Sequence, residues 1–239
     1  MFENLKKLEQ EIEEKLSNIK DSKSLSSLKV YIFGKKGSIT NYLKSISSLP
    51  DDQKKEAGQT INELKNKINT MIEKKFNELN DVYEEMLKNP HTNLLGLRGL
   101  MEQNLRAQDY HHAFVYGEKL FNLNPRIDKL FETLKNIIGK TNNWHKLLQI
   151  SEQSLKYQII DKKTYAESKS IAFYEIAKIK HHSVGREAIE LMEKALRLRE
   201  HFSPYVGFYI QLLINDNQLE KARKVLKKAW TVFPHPNLK

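Results

Sequence analysis

Residues 31–40 read YIFGKKGSIT: two glycines bracket two lysines, and hydroxyls follow at Ser38 and Thr40. Glycine beside lysine and serine or threonine can cradle phosphate, because glycine bares the backbone amides and the lysine ammonium reaches the terminal phosphates. That chemistry requires the spacing GxxxxGK[ST]. Here Gly34 and Gly37 stand too close together, Ser38 follows Gly37 with no lysine between them, and no GxGxxG is present. The flanks carry helical stripes and not a strand entering a helix. The stretch therefore reads as a helix break that presents Lys35 and Lys36 to solvent, not as a nucleotide site.

Other residue types capable of chemistry fare no better as catalysts. His111-His112 and His181-His182 invite a metal reading. Adjacent side chains on a helix diverge by about 100°, whereas a helical metal site uses positions four apart, and none of these four has a histidine at that distance. They are expected to be solvated or packed. Cysteine is absent, which excludes disulfides, thiolate zinc sites and cysteine nucleophiles. Tyr31, Tyr42, Tyr205, Phe208 and Tyr209 are possible stacking platforms for bases, but helical spacing assigns most of them to packing. No catalytic residue, metal site or cofactor is expected.

Composition points to binding instead. Lysine and arginine total 40 against 30 acidic residues in 239, a formal charge of +10 that favours an anionic partner. Leu, Ile, Lys, Glu and Asn dominate, with 9 glycines and 6 prolines, which favours long amphipathic helices over sheet. No apolar run approaches the ~20 residues of a membrane-spanning helix. The opening MFENLKKLEQEIEEKL is amphipathic and acidic, unlike a signal or transit peptide. No membrane span and a cytoplasmic location are expected.

The elements that position these residues follow from apolar periodicity. Leu5, Leu8, Ile12, Leu16 and Ile19 fall three and four apart, and Leu25, Leu28 and Ile32 resume after a break at Asp21 with Ser22 or Ser24 as a fresh cap. Ile39, Leu43 and Ile46 form a short stripe. Pro50, with Asp51, Asp52 and Glu56, suits a helix first turn. Ile61, Leu64, Ile68 and Met71, then Ile72, Phe76, Leu79, Val82 and Met86, continue the rhythm. Two long stripes with a turn near Leu49-Pro50 predict an antiparallel helical hairpin or coiled coil over residues 1–80.

Residues 81–239 carry a repeat. Tyr110 to Trp144, Ala113 to Leu147 and Ala188 to Ala222 are each 34 positions, and Pro125 and Pro234 each follow an alanine after 12. This is the tetratricopeptide pattern of helix pairs. About four pairs are expected, the second and third loosely matched, with seven extra residues around IIDKKTYAE. The fold class is all-α: a helical hairpin followed by a tetratricopeptide-like α-solenoid. Such a solenoid is a binding surface more often than a catalyst. Taking the first helix of each pair as groove-lining places Arg98, Glu102, Arg106, Ala177, Lys180, His181, Gln211 and Asn215 there. Arg98, Lys180, Gln211 and Asn215 are the candidates to hold a protein partner's backbone or carboxylate. The basic run KARKVLKK near the C-terminus reads as a solvated face.

The run LKVYIFGKKGSITNYLKSISSLPDDQKKEAGQTINELKNKI resembles the N-terminal coiled-coil domain of the bacterial phenylalanyl-tRNA synthetase alpha subunit. The positions that carry the resemblance are Gly34, Lys35, Lys36, Gly37, Thr40, Leu49, Pro50, Lys55, Gly58, Ile61, Asn62, Leu64 and Lys65, within about residues 1–79. Phe33 stands where leucine is usual. In that family the hairpin is an accessory arm that docks on tRNA, so the resemblance implies tRNA as a partner, with Lys35, Lys36, Lys44, Lys54 and Lys55 as phosphate contacts. Nothing after residue 80 resembles the class II catalytic core, so the chain is expected not to be an enzyme.

The segment from Asn80 to Pro125 and the closing KVLKKAWTVFPHPNL resemble the repeat region of HemY-type proteins. Tyr83, Glu84, Glu85, Met86, Leu87, Pro90, Thr92, Leu95, Gly96, Leu97, Arg98, Gly99 and Leu100 carry this, with Ala229, Trp230, Pro234, His235, Pro236 and Leu238. The resemblance implies a membrane-anchored repeat protein tied to haem biosynthesis. It adds a location peripheral to the inner membrane as an alternative, although the anchor that precedes this region in the family is missing from the sequence. The chain thus reads as two fused pieces joined near Leu79–Asp81. The expected function is a non-catalytic adaptor whose arm contacts tRNA and whose repeats bind a protein. The alternatives are a purely protein-binding scaffold and, more remotely, support of phenylalanyl-tRNA aminoacylation in trans.

Overall fold

The computed structural model describes residues 2–181, 185–200 and 202–232; His182, Pro234, His235, Pro236 and Leu238 lie outside them. Among the described residues the regular structure is all-helical, as the composition and periodicity predict. The chain forms two compact units, Met1–Leu120 and Phe121–Lys239.

In the first unit a broken arm lies along one continuous helix. The broken side consists of α1 (Phe2–Ser17), α2 (Ser22–Phe33), α3 (Ser38–Ser45) and a 3₁₀ turn at Ile46–Ser48. Each packs on α4 (Asp51–Leu87), whose 37 residues span about 55 Å. The break after α1 falls where the sequence places it, but the cap of α2 is Asp21 and not Ser22 or Ser24: its carboxylate accepts the amide of Ser24 at 2.8 Å. Leu5, Leu8, Ile12, Leu16, Ile19, Leu25, Leu28, Ile32 and Ile39 are all buried against Ile61, Leu64, Ile68 and Ile72 of α4. Two positions of the predicted stripes face solvent, Leu43 and Val82. On α4 the buried line runs from Leu79 to Tyr83, four residues on, because a 3.6-residue turn carries the stripe past Val82.

Helix α5 (Asn93–Arg106) joins the same core. An ideal Cβ on Gly96 would stand 2.6 Å from the Tyr83 carbonyl oxygen, so the glycines of LGLRGL let α5 press against α4. The core that contains Ile12 and Ile32 also contains Leu79, Tyr83 and Leu100. The compact unit therefore runs past residue 80, and the expected join lies inside α4. Helix α6 (Tyr110–Leu123) follows.

The second unit is a series of helices: α7 (Leu130–Thr141), α8 (Trp144–Lys156), α9 (Lys162–Lys180), α10 (Gly185–Leu198), α11 (Ser203–Asn215) and α12 (Leu219–Val232). Each packs on its neighbour in chain order. Of the residues in the 34-position period, Ala113 in α6, Leu147 in α8, Ala188 in α10 and Ala222 in α12 are buried, while Tyr110 and Trp144 are half-buried. The turns repeat as well. Gln108 and Asn142, 34 positions apart, and Asn217 all take the left-handed conformation. The Asp109 and Gln218 amides reach back to the carbonyls of Asn104 and Leu213 at 2.9 and 2.8 Å, closing the preceding helices. The extra length predicted around IIDKKTYAE is taken up by α9, which has 19 residues where α7 has 12 and α11 has 13.

Candidate nucleic-acid interface

The Gly34–Gly37 turn stands at one end of the first unit, between α2 and α3. Neither glycine has a positive φ. What demands glycine is proximity: a Cβ on Gly34 would meet the Val30 carbonyl oxygen at 2.5 Å, and one on Gly37 would collide with the Ile32 carbonyl. The turn is fastened by the amides of both glycines, Gly34 to Val30 and Gly37 to Gly34, each at 2.8 Å. Side chains of α3 then satisfy carbonyls at the last residue of α2 and in the turn itself. Thr40 Oγ1 donates to Phe33 at 3.4 Å, Asn41 Nδ2 to Lys36 at 3.2 Å and Lys44 Nζ to Lys35 at 3.2 Å.

This geometry sorts the five candidate lysines. Lys35 and Lys36 are exposed on the turn, and neither makes an ion pair among the described residues. Lys44 is exposed along its stem, but its ammonium is tied to the Lys35 carbonyl, so it braces the turn as well as charging it. Lys54 and Lys55 lie in the first two turns of α4, one turn before Gly58, whose nearest outside neighbour is Ile46 just beyond α3. Lys54 is half-buried and Lys55 exposed. Lys35, Lys36 and Lys44 therefore belong to the α2–α3 turn and its brace, and Lys54 and Lys55 to the start of α4, the helix on which α2 and α3 pack.

Charge is divided along the unit. Residues 29–55 hold six lysines and two aspartates, whereas α1 holds five glutamates and three lysines. Four of the five α1 carboxylates, Glu3, Glu9, Glu11 and Glu13, have lysine partners. Lys67 of α4 pairs with Glu9 and lies 3.8 Å from Glu13. Glu11 accepts from Lys15 and from the Tyr31 hydroxyl, and the Lys15 hydrogen bond holds its carboxyl below the usual range. The Lys15 ammonium stands 4.2 Å over the Tyr31 ring, so Tyr31 has a structural partner of its own.

The other candidates separate. Arg98 is exposed on α5 and pairs with Glu102 at 2.9 Å, in the first unit. Lys180, Gln211 and Asn215 belong to the second unit, where Lys180 pairs with Glu187 of α10 while Gln211 and Asn215 are exposed one turn apart on α11. Tyr205 and Tyr209 are core residues, and Phe208 packs edge-on against Tyr174 and His181. His112 Nδ1 lies 2.7 Å from the Asp109 carboxylate at the start of α6, and His181 Nδ1 lies 2.6 Å from the Lys178 carbonyl. Among the described residues no group of His, Asp and Glu could hold a metal, and no helix is long and apolar enough to cross a membrane.

Sequence reasoning passed over Gln103 and Arg106 as anchors. Gln103 is buried and donates to the Phe76 carbonyl of α4 at 2.8 Å, while Arg106 donates to Ser22 at the start of α2. Together they tie α5 to both sides of the arm. Their polarity hides them from an apolar periodicity; the GLRG spacing of small residues is the one sequence signal that α5 approaches another helix closely.

Comparison with known proteins agrees with this geometry at the arm. Residues 20–86 match the family described as aminoacyl tRNA synthetase class II, N-terminal domain. The chain is similar to the phenylalanine–tRNA ligase alpha subunit of Caldicellulosiruptor saccharolyticus, 39% identical over 70 residues, covering 29% of this chain and 19% of the relative. To that of Rickettsia canadensis it is 32% identical over 115 residues, covering 48% and 31%. To that of Rickettsia felis it is 28% identical over 151 residues, covering 61% and 41%. The chain thus spans between about a fifth and two fifths of the curated relatives it matches. The matched family region contains the Gly34–Gly37 turn and all five lysines.

Proposed function

We propose that this chain is a non-catalytic binding protein whose α2–α3–α4 end contacts tRNA phosphates and whose repeated helix pairs engage a protein partner. The observation that carries the tRNA half is the coincidence of the matched synthetase N-terminal region with a braced turn that holds Lys35 and Lys36 out in solvent. Lysines on a protruding pair of helices neutralise phosphates and release counterions without reading bases, which suits a contact to a folded RNA of fixed shape. An arm with about 3–5 such contacts binds weakly and gives a log–log salt slope of roughly −3 to −4.5.

For the rest of the chain the reading is a HemY-like, tetratricopeptide-like repeat region joined to the arm near Leu79–Asp81, within α4. Its support is the burial of Ala113, Leu147, Ala188 and Ala222 and the recurrence of the left-handed turns. The second-unit residues Gln211 and Asn215 remain the accessible part of the proposed groove. A cytoplasmic adaptor without synthetase chemistry of its own follows from that reading.

The test is a titration of fluorescent tRNA with the full chain and with the Lys35→Glu/Lys36→Glu variant at several salt concentrations. Binding by the full chain whose salt slope falls by about 2 in the variant supports the proposal. Equal binding by both, or none at low salt, overturns it and leaves a protein scaffold.

A further inference from the structure

In the second unit α10 and α12 occupy equivalent places 34 positions apart, Ala188 matching Ala222 and both buried. The pair allows a direct comparison of what each helix presents to its next neighbour. On α10 that face is covered: Ile189 and Met192 are 5% and 0% exposed and cluster with Tyr205, Tyr209, Leu212 and Leu213 of α11. On α12 the corresponding face holds Arg223, Leu226 and, opposite Leu196, Trp230. Among the described residues that face is open at both ends, Leu219 being 47% and Trp230 41% exposed, with Leu226 half-buried between them. Leu219, Leu226 and Trp230 fall on one stripe, because residues seven and four apart share a helix face.

The charge on the two helices differs in the same places. Glu187, Glu190 and Glu193 of α10 are replaced, 34 positions on, by Lys221, Lys224 and Lys227. Ile189, pressed against α11, becomes Arg223. Helix α10 carries three acidic and three basic residues; α12 carries one and five. On α10 the carboxylate of Glu193 accepts the hydroxyl of Tyr209 from the incoming helix at 2.8 Å. The matching position on α12, Lys227, offers a cation to whatever arrives there. The face of α12 is an apolar stripe edged by the exposed Arg223 and Lys227.

We propose that the open face of α12 docks an acidic amphipathic helix of a partner protein, seated as α11 is seated on α10. Its apolar stripe covers Leu219, Leu226 and Trp230, and carboxylates on its flank meet Arg223 and Lys227. The geometry of the preceding pair argues for a helix, since the same face of α10 accepts one, and the reversed charge argues for an acidic one. This site is separate from the arm and does not rest on the tRNA reading.

The probe is a labelled synthetic helix of about 18 residues with leucines at i, i+3, i+4 and i+7 and glutamates on the flanks, titrated with the full chain by fluorescence anisotropy. Two further peptides serve as controls, one of the same composition scrambled and one with lysine in place of glutamate. The patterned acidic peptide should bind at least about tenfold more tightly than either control. Arg223→Glu/Lys227→Glu, two exposed positions whose change leaves the helix intact by circular dichroism, should lose about tenfold for it and gain the lysine-flanked peptide. Trp230→Ala should weaken the acidic peptide without changing the charge preference, and Lys35→Glu/Lys36→Glu should leave it unchanged. Equal binding of the scrambled peptide, indifference to the charge reversal, or no binding overturns the proposal. So does displacement of the bound peptide by anionic lipid vesicles or by tRNA, since it would give the face to another occupant.

Discussion

Gly99 of α5 lies so close to Tyr83 of α4 that a Cβ placed on it would stand 2.5 Å from the ring carbons Cδ1 and Cε1. Tyr83 is 8% exposed, so its ring has little room to withdraw. Gly99→Ala gains about 1 kcal/mol of helix propensity but forces the ring or the helix aside, at about 1–3 kcal/mol. The net expectation is destabilisation by about 1 kcal/mol in urea unfolding. Gly96→Ala should cost more, because the obstacle is the Tyr83 carbonyl oxygen and not a side chain.

Gly58 gives the opposite expectation. It sits inside α4, and the nearest foreign atom to an added Cβ is Ile46 Cδ1 at 4.0 Å, ordinary contact. Gly58→Ala should therefore stabilise the chain by about 0.5–1 kcal/mol in the same assay. If it also weakens tRNA binding, the glycine serves the contact and not the fold.

Lys44 and Lys36 should behave differently when neutralised. Lys44→Met removes a charge and also the hydrogen bond to the Lys35 carbonyl, so it should lower stability by about 0.5–1.5 kcal/mol as well as reduce the salt slope of tRNA binding. Lys36→Met should reduce the slope by about 1 and leave stability unchanged within about 0.5 kcal/mol. Paired melting curves and salt titrations separate the two. Equal melting temperatures would show that the Lys44 bond contributes nothing to the turn.

How much of this was legible depends on what kind of signal each residue carries. The helices and most of the buried face follow from spacing alone, from Leu5 through Ile32 on one side and from Ile61 to Leu79 on the other. The reading slipped at Val82 and Tyr83 because a stripe three and four residues apart drifts around a long helix, and the aromatic one place on is what meets α5. The lysines of the turn were visible as charges, yet nothing in the sequence says that the Lys44 ammonium points at a main-chain carbonyl. Repeat alignment puts Arg98, Glu102 and Lys180 on groove-lining helices but does not say that Glu102 engages Arg98 or that Glu187 of the next helix engages Lys180. Of the residues in the 34-residue period, Ala113, Leu147, Ala188 and Ala222 are buried, while Tyr110 and Trp144 are half-buried because they open their helices beside polar turns. The compact units divide elsewhere, at Leu120, because packing joins α5 to the arm through Gly96, Gly99 and Gln103.

The Asp21 cap makes the arm acid-sensitive. Its carboxyl is held below the ordinary range, chiefly by the Ser24 amide, then the Ser24 hydroxyl, with the Arg106 charge adding to them. A carboxyl depressed in the folded state contributes stability that is complete above its unfolded pKa and disappears as pH falls through its folded one. Asp21→Ala should cost about 1 kcal/mol at neutral pH, and the difference from the parent should shrink below about pH 4. Unfolding both chains across that range tests it; a gap that stays constant would place the cost in lost packing and not in the charged cap.

The contacts of Glu193 predict which interactions hold α11 and α12 to α10. Its carboxylate accepts the Tyr209 hydroxyl at 2.8 Å and the Lys221 ammonium at 2.7 Å, and it is held below the usual carboxyl range, most strongly by Lys221. Tyr209 is 4% exposed, so its bond is shielded from water, whereas the Lys221 and Glu193 side chains are 46% and 34% exposed. A half-exposed ion pair contributes about 0.2–1 kcal/mol and is screened by salt, while a shielded hydrogen bond to a charged acceptor contributes about 1.5–3 kcal/mol. Double-mutant cycles built from Glu193→Ala with Tyr209→Phe, and with Lys221→Met, should therefore give the larger coupling for Tyr209. Raising the salt to about 1 M, where the Debye length is about 3 Å, should remove most of the Lys221 coupling and little of the Tyr209 coupling. The reverse order would mean that the pKa-dominant partner also dominates stability, so that α12 is held to α10 mainly by charge. The lysines of its open face would then perturb its seating as well as its choice of partner.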